Sequence, residues 1–403
     1  GSPVAGNRQG SFVAPPTGED ADVTRTELDT IRVAHVIDTL NVGGAETLLV
    51  EQCRQGAVSG IVSTVIGLRP GASTQLSDDL RSVGADVRLI GSGHRRQLLD
   101  LRRVGRLADE LREGRFDLVH THLRVATIIG SLAARRAGIP VVATLHNVRT
   151  DGSGGVENRA KDLLETAALR RWVDVVIGCG PAVADSNRSR VGDGPLVVVP
   201  NPVREIPDLI ESDRAQTRGE LLSGDDEVVL VAVGRLTEQK DYPNLFRALR
   251  SLRSGGRRVG LVVVGEGEER SALESMIERL GLADHVLLVG NRPDVPAVMA
   301  AADVFVLSSA WEGLPLVLLE AMAVGAPIVA TDVGDVGGAV GDAGVVVPAQ
   351  DPDALAEAIE SLLDDPGYGR ELGARARERV REQHSATVWI EQLRDVYRRA
   401  QGR

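Results

Sequence analysis

Two glutamates, Glu312 and Glu320, stand within a stretch that reads SSAWEGLPLVLLEAMAVGAPIVATD from Ser308 to Asp332. Pro315 suits the first position of a helix, where its missing N–H is no loss and its φ is already helical. Gly325 suits the residue just past the end, and Pro327 blocks continuation. Between them Leu316, Val317, Leu318, Leu319, Ala321, Met322, Ala323 and Val324 are apolar on every face, which predicts a buried helix. Only Glu320 breaks the run. A carboxylate buried without partners is costly, so Glu320 needs donors nearby. The helix start at Gly313, Leu314, Pro315 and Leu316 offers free backbone N–H groups and the positive dipole end, a seat for phosphate. An acid before the helix, an anion seat and a second acid suit a diphosphate with hydroxyl-bearing groups at both ends. A plain core helix in which Glu320 meets an arginine explains the same residues.

Other polar groups fall at the ends of apolar runs. Arg235 and Lys240, in VGRLTEQK, bracket a loop ahead of a helix over 244–252, and two cations there could clamp a leaving diphosphate. A surface ion pair with the neighbouring acids is the plainer alternative. Gly265 and Glu266 follow the next run, and Asn291 and Arg292 the one after; either could frame a base or ribose through its backbone. Gly43 and Gly44, in NVGGAE, stand at a strand-to-helix turn where the backbone can approach a ligand closely, although the spacing is not that of a dinucleotide fingerprint. His120, His122 and His146 close two runs, which would put imidazoles at a cleft mouth, able to donate to a hydroxyl or phosphate. Zinc is an alternative for them, but no third or fourth ligand follows at useful spacing.

The elements that must position these groups alternate regularly. Short apolar runs at 31–37, 61–66, 87–90, 118–120, 141–145, 175–177 and 196–199 are separated by helix-like stretches. A second series follows at 228–233, 261–264, 286–289, 304–307, 328–330 and 345–347. This predicts βαβ units and parallel sheets buried on both faces. The chain of 403 residues exceeds one ordinary core. The expected division is a flexible tail over 1–30, a first domain over 31–205, a second domain over 206–384 and a final helix over 385–403. The segment 204–226, rich in charge, reads as a linker. The fold class is α/β, two doubly wound domains facing a central cleft.

Composition narrows the function. With 43% hydrophobic and 26% charged residues the chain is globular, and no apolar run is long enough for a membrane span. Cys53 and Cys179 read as core thiols of a reducing compartment, so a cytoplasmic location is expected. Lys161 and Lys240 are the only lysines among the basic residues, a bias that hints at GC-rich coding. Residues 31–205 carry 23 Lys+Arg against 19 Asp+Glu, a basic half within a protein of net charge −11. Its densest patch is Arg95, Arg96, Arg102, Arg103 and Arg106, interleaved with leucines. An amphipathic basic helix of this kind can lie on anionic lipid or seat an anionic acceptor, and is more often a solvated face. Aromatic residues make up 2% and no stacking platform is visible, which argues against nucleic acid.

In order along the chain, GGAE, the strand-end His146, GRLTEQK, VGEGEE, VGNRPDV and SSAWEGLPLVLLEAMAVGAPIVATD are similar to the motifs of the retaining glycosyltransferases of family 4, which have the GT-B fold. The match runs over nearly the whole chain from Ile31. The resemblance implies that Arg235 and Lys240 hold a nucleotide diphosphate. Glu312 lies near the donor sugar, and Glu320, separated from it by seven residues, takes ribose hydroxyls. Gly43 and Gly44 approach the phosphates and acceptor, His146 lies beside the reacting sugar, and the backbone around Arg292 faces the base. The partners implied are a nucleotide-sugar donor, uridine by family frequency, and a glycan, lipid-linked or small-molecule acceptor. No obligatory cofactor or metal is implied. The one D-x-D string, Asp351-Pro352-Asp353, directly precedes an expected helix over 354–363, so capping is its expected role. The rival readings are a sugar phosphorylase, a nucleotide-sugar epimerase and a non-catalytic nucleotide-sugar binding protein. The acceptor is set by loops such as 91–96 and 150–156, which carry no interpretable motif.

Overall fold

The computed structural model describes residues 30–402 apart from 42, 71–73, 92–100, 150–155, 205, 207–210 and 222–225. The tail expected over 1–30 therefore lies outside the described residues but for Thr30, as do most of the two acceptor loops.

Each apolar run of the sequence is a strand. The first seven are β1 (Ile31–Thr39), β2 (Ile61–Arg69), β3 (Asp86–Leu89), β4 (Leu118–His122), β5 (Val141–Leu145), β6 (Val175–Gly178) and β7 (Leu196–Val198). The other six are β8 (Val228–Val233), β9 (Val259–Val264), β10 (Val286–Gly290), β11 (Val304–Leu307), β12 (Ile328–Thr331) and β13 (Val345–Val347). They form two parallel sheets, ordered β3-β2-β1-β4-β5-β6-β7 and β10-β9-β8-β11-β12-β13. Side chains of β4, β5, β8 and β11 are buried almost without exception, which is why these strands read as unbroken apolar runs. In both sheets the strand order reverses beside the first strand, next to β4 in one and next to β11 in the other. Ligands of doubly wound sheets bind at such switch points, beyond the strand C-termini. The chain has the GT-B architecture of two Rossmann-like sheets with helices on their faces.

One apolar cluster joins the two halves, with Leu145, Val176 and Val183 packed together with Leu314, Leu318 and Val336. The helix Leu316–Val324 lies within it, largely buried as its composition predicts, with Leu316 and Val317 half-buried at the cleft end. Pro315 is its extended N-cap (φ −72°, ψ 129°), one position earlier than expected, and Gly325 ends it in the left-handed region at φ 72°. The helix Ala386–Ala400 leaves the second sheet and lies against the first, with Trp389, Ile390, Leu393 and Tyr397 packed on Ile31, Val33, Leu118 and Val142.

One sequence reading needs correction. The segment 204–226 is not a plain linker, because it contains the helix Glu211–Leu221, whose Leu221 enters the core and whose Arg218 pairs with Asp303 at 2.8 Å. The described part of the basic patch is the solvated face of an amphipathic helix, the plainer of its two readings. Arg95 and Arg96 lie outside the described residues. The helix Leu101–Glu113 turns Val104, Leu107 and Leu111 into the first core and buries Arg103, leaving Arg102 and Arg106 exposed. Among the described residues no helix is long and apolar enough to cross a membrane.

Candidate active site

A cleft of about 300 Å³ lies where the two switch points face each other. The first half contributes Asn41, Gly43, Gly44 and Glu46 after β1, His146 and Asn147 after β5, and Asn201 after β7. The second contributes Gly234, Arg235 and Lys240 after β8, and Glu312, Leu314, Pro315, Leu316 and Val317 after β11. Nine of the residues singled out in the sequence line this one space: Gly43, Gly44, His146, Arg235, Lys240, Glu312, Leu314, Pro315 and Leu316.

Glu312 is held firmly. Lys240 Nζ lies 2.6 Å from its Oε1, Ser309 Oγ donates to the same oxygen at 2.9 Å, and Gln239 Nε2 donates to Oε2 at 3.1 Å. Three donors satisfy a carboxylate that is 5% exposed. Lys240 is itself packed along Gly234, where an added Cβ would sit 2.7 Å from Lys240 Cε. Arg235 is exposed on the same wall and has no ion-pair partner among the described residues. Glu46, facing it, is raised in pKa chiefly by burial, and Arg235 offsets part of that rise. The N-terminus of the Leu316–Val324 helix opens into the cleft between these groups, so the wall has the chemistry of an anion site.

Five of the proposed residues stand outside this space. Glu320, buried, meets Arg204, whose Nε lies 2.6 Å from Oε1, beside a small gap lined by Thr47, Leu48 and Glu51. This is the arginine partner that the apolar stretch required; burial raises the Glu320 pKa and Arg204 opposes the rise. Gly265 adopts φ 140° and an added Cβ would sit 2.1 Å from the Gly234 carbonyl oxygen, so it allows β9 to close on the loop that carries Arg235. Glu266 is exposed and 3.5 Å from Arg270. Arg292 forms a two-pronged pair with Asp294, at 2.8 and 2.6 Å. Gly313 packs against the first half: an added Cβ would lie 2.2 Å from the His146 carbonyl oxygen.

Of the strand-end histidines only His146 reaches the cleft. His120 and His122 are buried within β4, and His35 from β1 joins them, unforeseen in the sequence. Ring centroids step from Tyr397 to His120 at 5.6 Å, His120 to His122 at 4.1 Å and His122 to His146 at 5.8 Å. His120 is engaged at both nitrogens, Nδ1 with the Tyr397 hydroxyl at 2.8 Å and Nε2 with Thr144 at 2.7 Å. Candidate ligand atoms of His35, His120 and His122 lie within 4.8 Å of one another. His35 Nδ1 lies 3.4 Å from His122 Nε2, while both ring nitrogens of His120 are engaged by Tyr397 and Thr144. Burial lowers all four histidines, His146 to about 4 and His35 to about 3, so the file is neutral at physiological pH.

Several contacts that set the cleft were missed in the sequence. Asp335, after β12, caps the helix Pro181–Val191 of the first half: its Oδ1 accepts from the Ala182 N–H at 2.7 Å. Asn201 Nδ2 donates to the Leu314 carbonyl at 2.8 Å. Asn201 follows β7 in VPNPV, a turn signal that could have marked it, whereas nothing local marks Asp335. Asp351 accepts from the Ala354 N–H at 3.0 Å and caps the helix Pro352–Asp364, as its place in the sequence predicts.

Comparison with known proteins agrees with this architecture. The family described as Glycosyltransferase Family 4 matches residues 42–205, and Glycosyl transferases group 1 matches 213–382. The chain is 31% identical over 312 residues to D-inositol 3-phosphate glycosyltransferase 2 of Catenulispora acidiphila, covering 71% of each protein. It is 26% identical over 310 residues to N-acetyl-alpha-D-glucosaminyl L-malate synthase of Bacillus anthracis, covering 74% of this chain and 78% of that one. Anabaena HepE, solved with UDP-glucose, shares the fold at TM-score 0.79 and 21% identity over 91% of this chain and 99% of that one. With its motifs gathered where two Rossmann-like sheets face each other, the chain belongs to the family-4 glycosyltransferases, GT-B enzymes that move a sugar from a nucleotide-sugar donor.

Proposed function

We propose that the enzyme transfers the sugar with retention of anomeric configuration, from a UDP-sugar, without an obligatory metal. The observation that carries this reading is the wall on which Arg235, Lys240 and the helix start at Leu314–Leu316 converge. Two cations and a helix N-terminus supply the positive field that a departing diphosphate needs, the role a metal ion would otherwise fill. In the transfer, the bond from the anomeric carbon to the diphosphate breaks and the acceptor oxygen bonds to that carbon from the same face. The acceptor proton passes to a leaving phosphate oxygen, giving glycoside and nucleoside diphosphate. The cleft offers two acids: Lys240, Ser309 and Gln239 hold the Glu312 carboxylate in hydrogen bonds, poorly suited to act as a nucleophile, and Glu46 faces Arg235. His146, neutral, suits a hydrogen bond to a sugar hydroxyl. The acceptor is a glycan, lipid-linked or small hydroxylated molecule. Membrane contact, if made through Arg102 and Arg106, would be electrostatic, because the apolar face of their helix is already covered.

Proton NMR of the transfer product tests the stereochemistry. An α-linked donor should give an α-linked product, and a β-linked product excludes the retaining scheme.

A further inference from the structure

The transfer scheme gives no task to one acid of the cleft. Glu46 stands in the first turn of the helix Gly44–Val58, at the glycine turn after β1, and is 8% exposed. Its carboxyl folds back over Gly43, where an added Cβ would lie 2.6 Å from Glu46 Oε2. It lines the cleft facing Arg235 but has no ion-pair partner among the described residues, and its own backbone N–H is the only donor to it there.

Charge in this space is balanced before a ligand enters. Arg235 and Lys240 stand against Glu46 and Glu312, and His146 is neutral. A nucleotide-sugar brings a dianion to the wall formed by Arg235, Lys240 and the helix start at Leu314–Leu316. Two carboxylates and a dianion would then share the space with two cations, in a site poor in water where like charges repel strongly. One carboxylate is free to give way. Lys240, Ser309 and Gln239 hold the Glu312 carboxylate in hydrogen bonds. Glu46 lacks such support. Burial already raises its pKa, and Arg235, which opposes that rise, is the cation that the diphosphate engages. A proton on Glu46 removes the repulsion and turns an acceptor into a donor for the phosphate oxygens.

We propose that Glu46 takes up a proton from solvent as the diphosphate of a nucleotide-sugar binds, donates its O–H to a phosphate oxygen, and returns the proton when the nucleoside diphosphate leaves. This assignment rests on the transfer reading above. The exchange breaks no covalent bond of the donor, and the acceptor proton still passes to the departing phosphate. The charged groups that act on Glu46 are Arg235, after β8, and Asp38, in β1; Lys240, Glu312 and His146 line the same cleft. The elements packed on its helix, β2 and the helices Gln75–Ser82 and Ala386–Ala400, add none among the described residues. Asp38, raised by burial to about 6, is the rival site for the proton.

The test is calorimetry of the full chain with UDP-glucose, GDP-mannose and ADP-glucose, whose phosphates stay ionised near neutrality. Each titration is run in HEPES and in Tris, because the difference in heat between the two buffers counts the protons taken up. The wild type should take up about half a proton or more at pH 7, and its Kd should weaken by about 3–10-fold from pH 7 to pH 8. Glu46→Gln offers an N–H to the phosphate and carries no charge, and its melting temperature verifies folding. It should take up no proton, show one Kd at both pH values, and bind at pH 8 at least as tightly as the wild type. Asp38→Asn should keep most of the wild-type uptake. Binding without proton uptake in the wild type overturns the proposal and leaves the transfer reading standing. Uptake that survives Glu46→Gln or disappears in Asp38→Asn does the same, as does weaker binding by Glu46→Gln than by the wild type at pH 8. Absence of binding by all three nucleotide-sugars, in heat and in melting temperature, removes the diphosphate seat itself and the proposal with it.

Discussion

Lys240 Nζ lies 2.6 Å from Glu312 Oε1 on the cleft wall that also carries Arg235. The ammonium that would face a diphosphate thus also neutralises the buried acid beside it. Removing Lys240 should damage both stability and activity. In a double-mutant cycle, Lys240→Ala should destabilise the chain more than Lys240→Ala with Glu312→Gln, with a coupling of about 1–3 kcal/mol. Chemical denaturation of the four variants measures it, and simple additivity would count against the pair. Turnover by Lys240→Ala should fall by ~10²-fold or more, the scale of losing one charge-stabilising donor.

Gly313 fixes how closely the halves meet. A methyl group there would sit 2.2 Å from the His146 carbonyl oxygen, which belongs to backbone and cannot swing away. Gly313→Ala should therefore cost about 1–3 kcal/mol as overpacking does, and should push the halves apart. A larger radius of gyration in X-ray scattering with lowered turnover is the expected outcome; wild-type scattering and activity together would be the contrary one.

Asp335 reaches from one half to cap a helix of the other. Asp335→Ala should cost roughly 0.5–2 kcal/mol, the usual range for a lost cap. Hydrogen exchange should speed at the Ala182 amide and change little within β8 and β9. Uniform acceleration across both sheets would show that the contact does not act locally.

The histidine file gives a pH dependence of definite sign. Burial lowers His146 to about 4 and His35 to about 3, and holds His120 and His122 well below their usual value. Below about pH 6.5 the unfolded chain takes up protons that the folded chain refuses, so stability falls as the pH drops toward 4. Asp38 opposes this, since burial raises it to about 6 and stability is lost as the pH rises from its unfolded value; Glu46, Asp241, Glu320 and Asp335 are raised in the same direction, so the four histidines act with least opposition above about pH 6. Urea midpoints between pH 7.5 and 5 should drop, and His35→Asn should lessen the steepness by about one proton. An unaltered slope in that variant would contradict the neutral, buried assignment.

Much of the fold was legible because parallel strands buried on both faces leave runs such as Val228–Val233 in the sequence. The cleft residues were legible for a related reason: each follows the end of a strand at a switch point or, for His146, one strand away. The helix Glu211–Leu221 was hidden, since its sequence ESDRAQTRGEL carries almost no apolar period to read. His35 and Gln52 were hidden by distance. Gln52 Nε2 donates to the Tyr397 hydroxyl across 345 positions, and no local pattern encodes such a pairing. Glu320 shows the limit of residue chemistry. Its need for a partner was readable, but Arg204, which lies beyond the first sheet in the chain, was not.

The central claim is that Arg235, Lys240 and the helix start form a metal-independent seat for a nucleoside diphosphate. Melting temperatures with UDP, GDP and ADP, in EDTA throughout, test it most directly, because a ligand that binds only the folded chain raises the melting point by mass action. UDP should shift the wild type and leave Lys240→Ala unmoved. No shift with any nucleotide, or an equal shift in Lys240→Ala, would contradict the account.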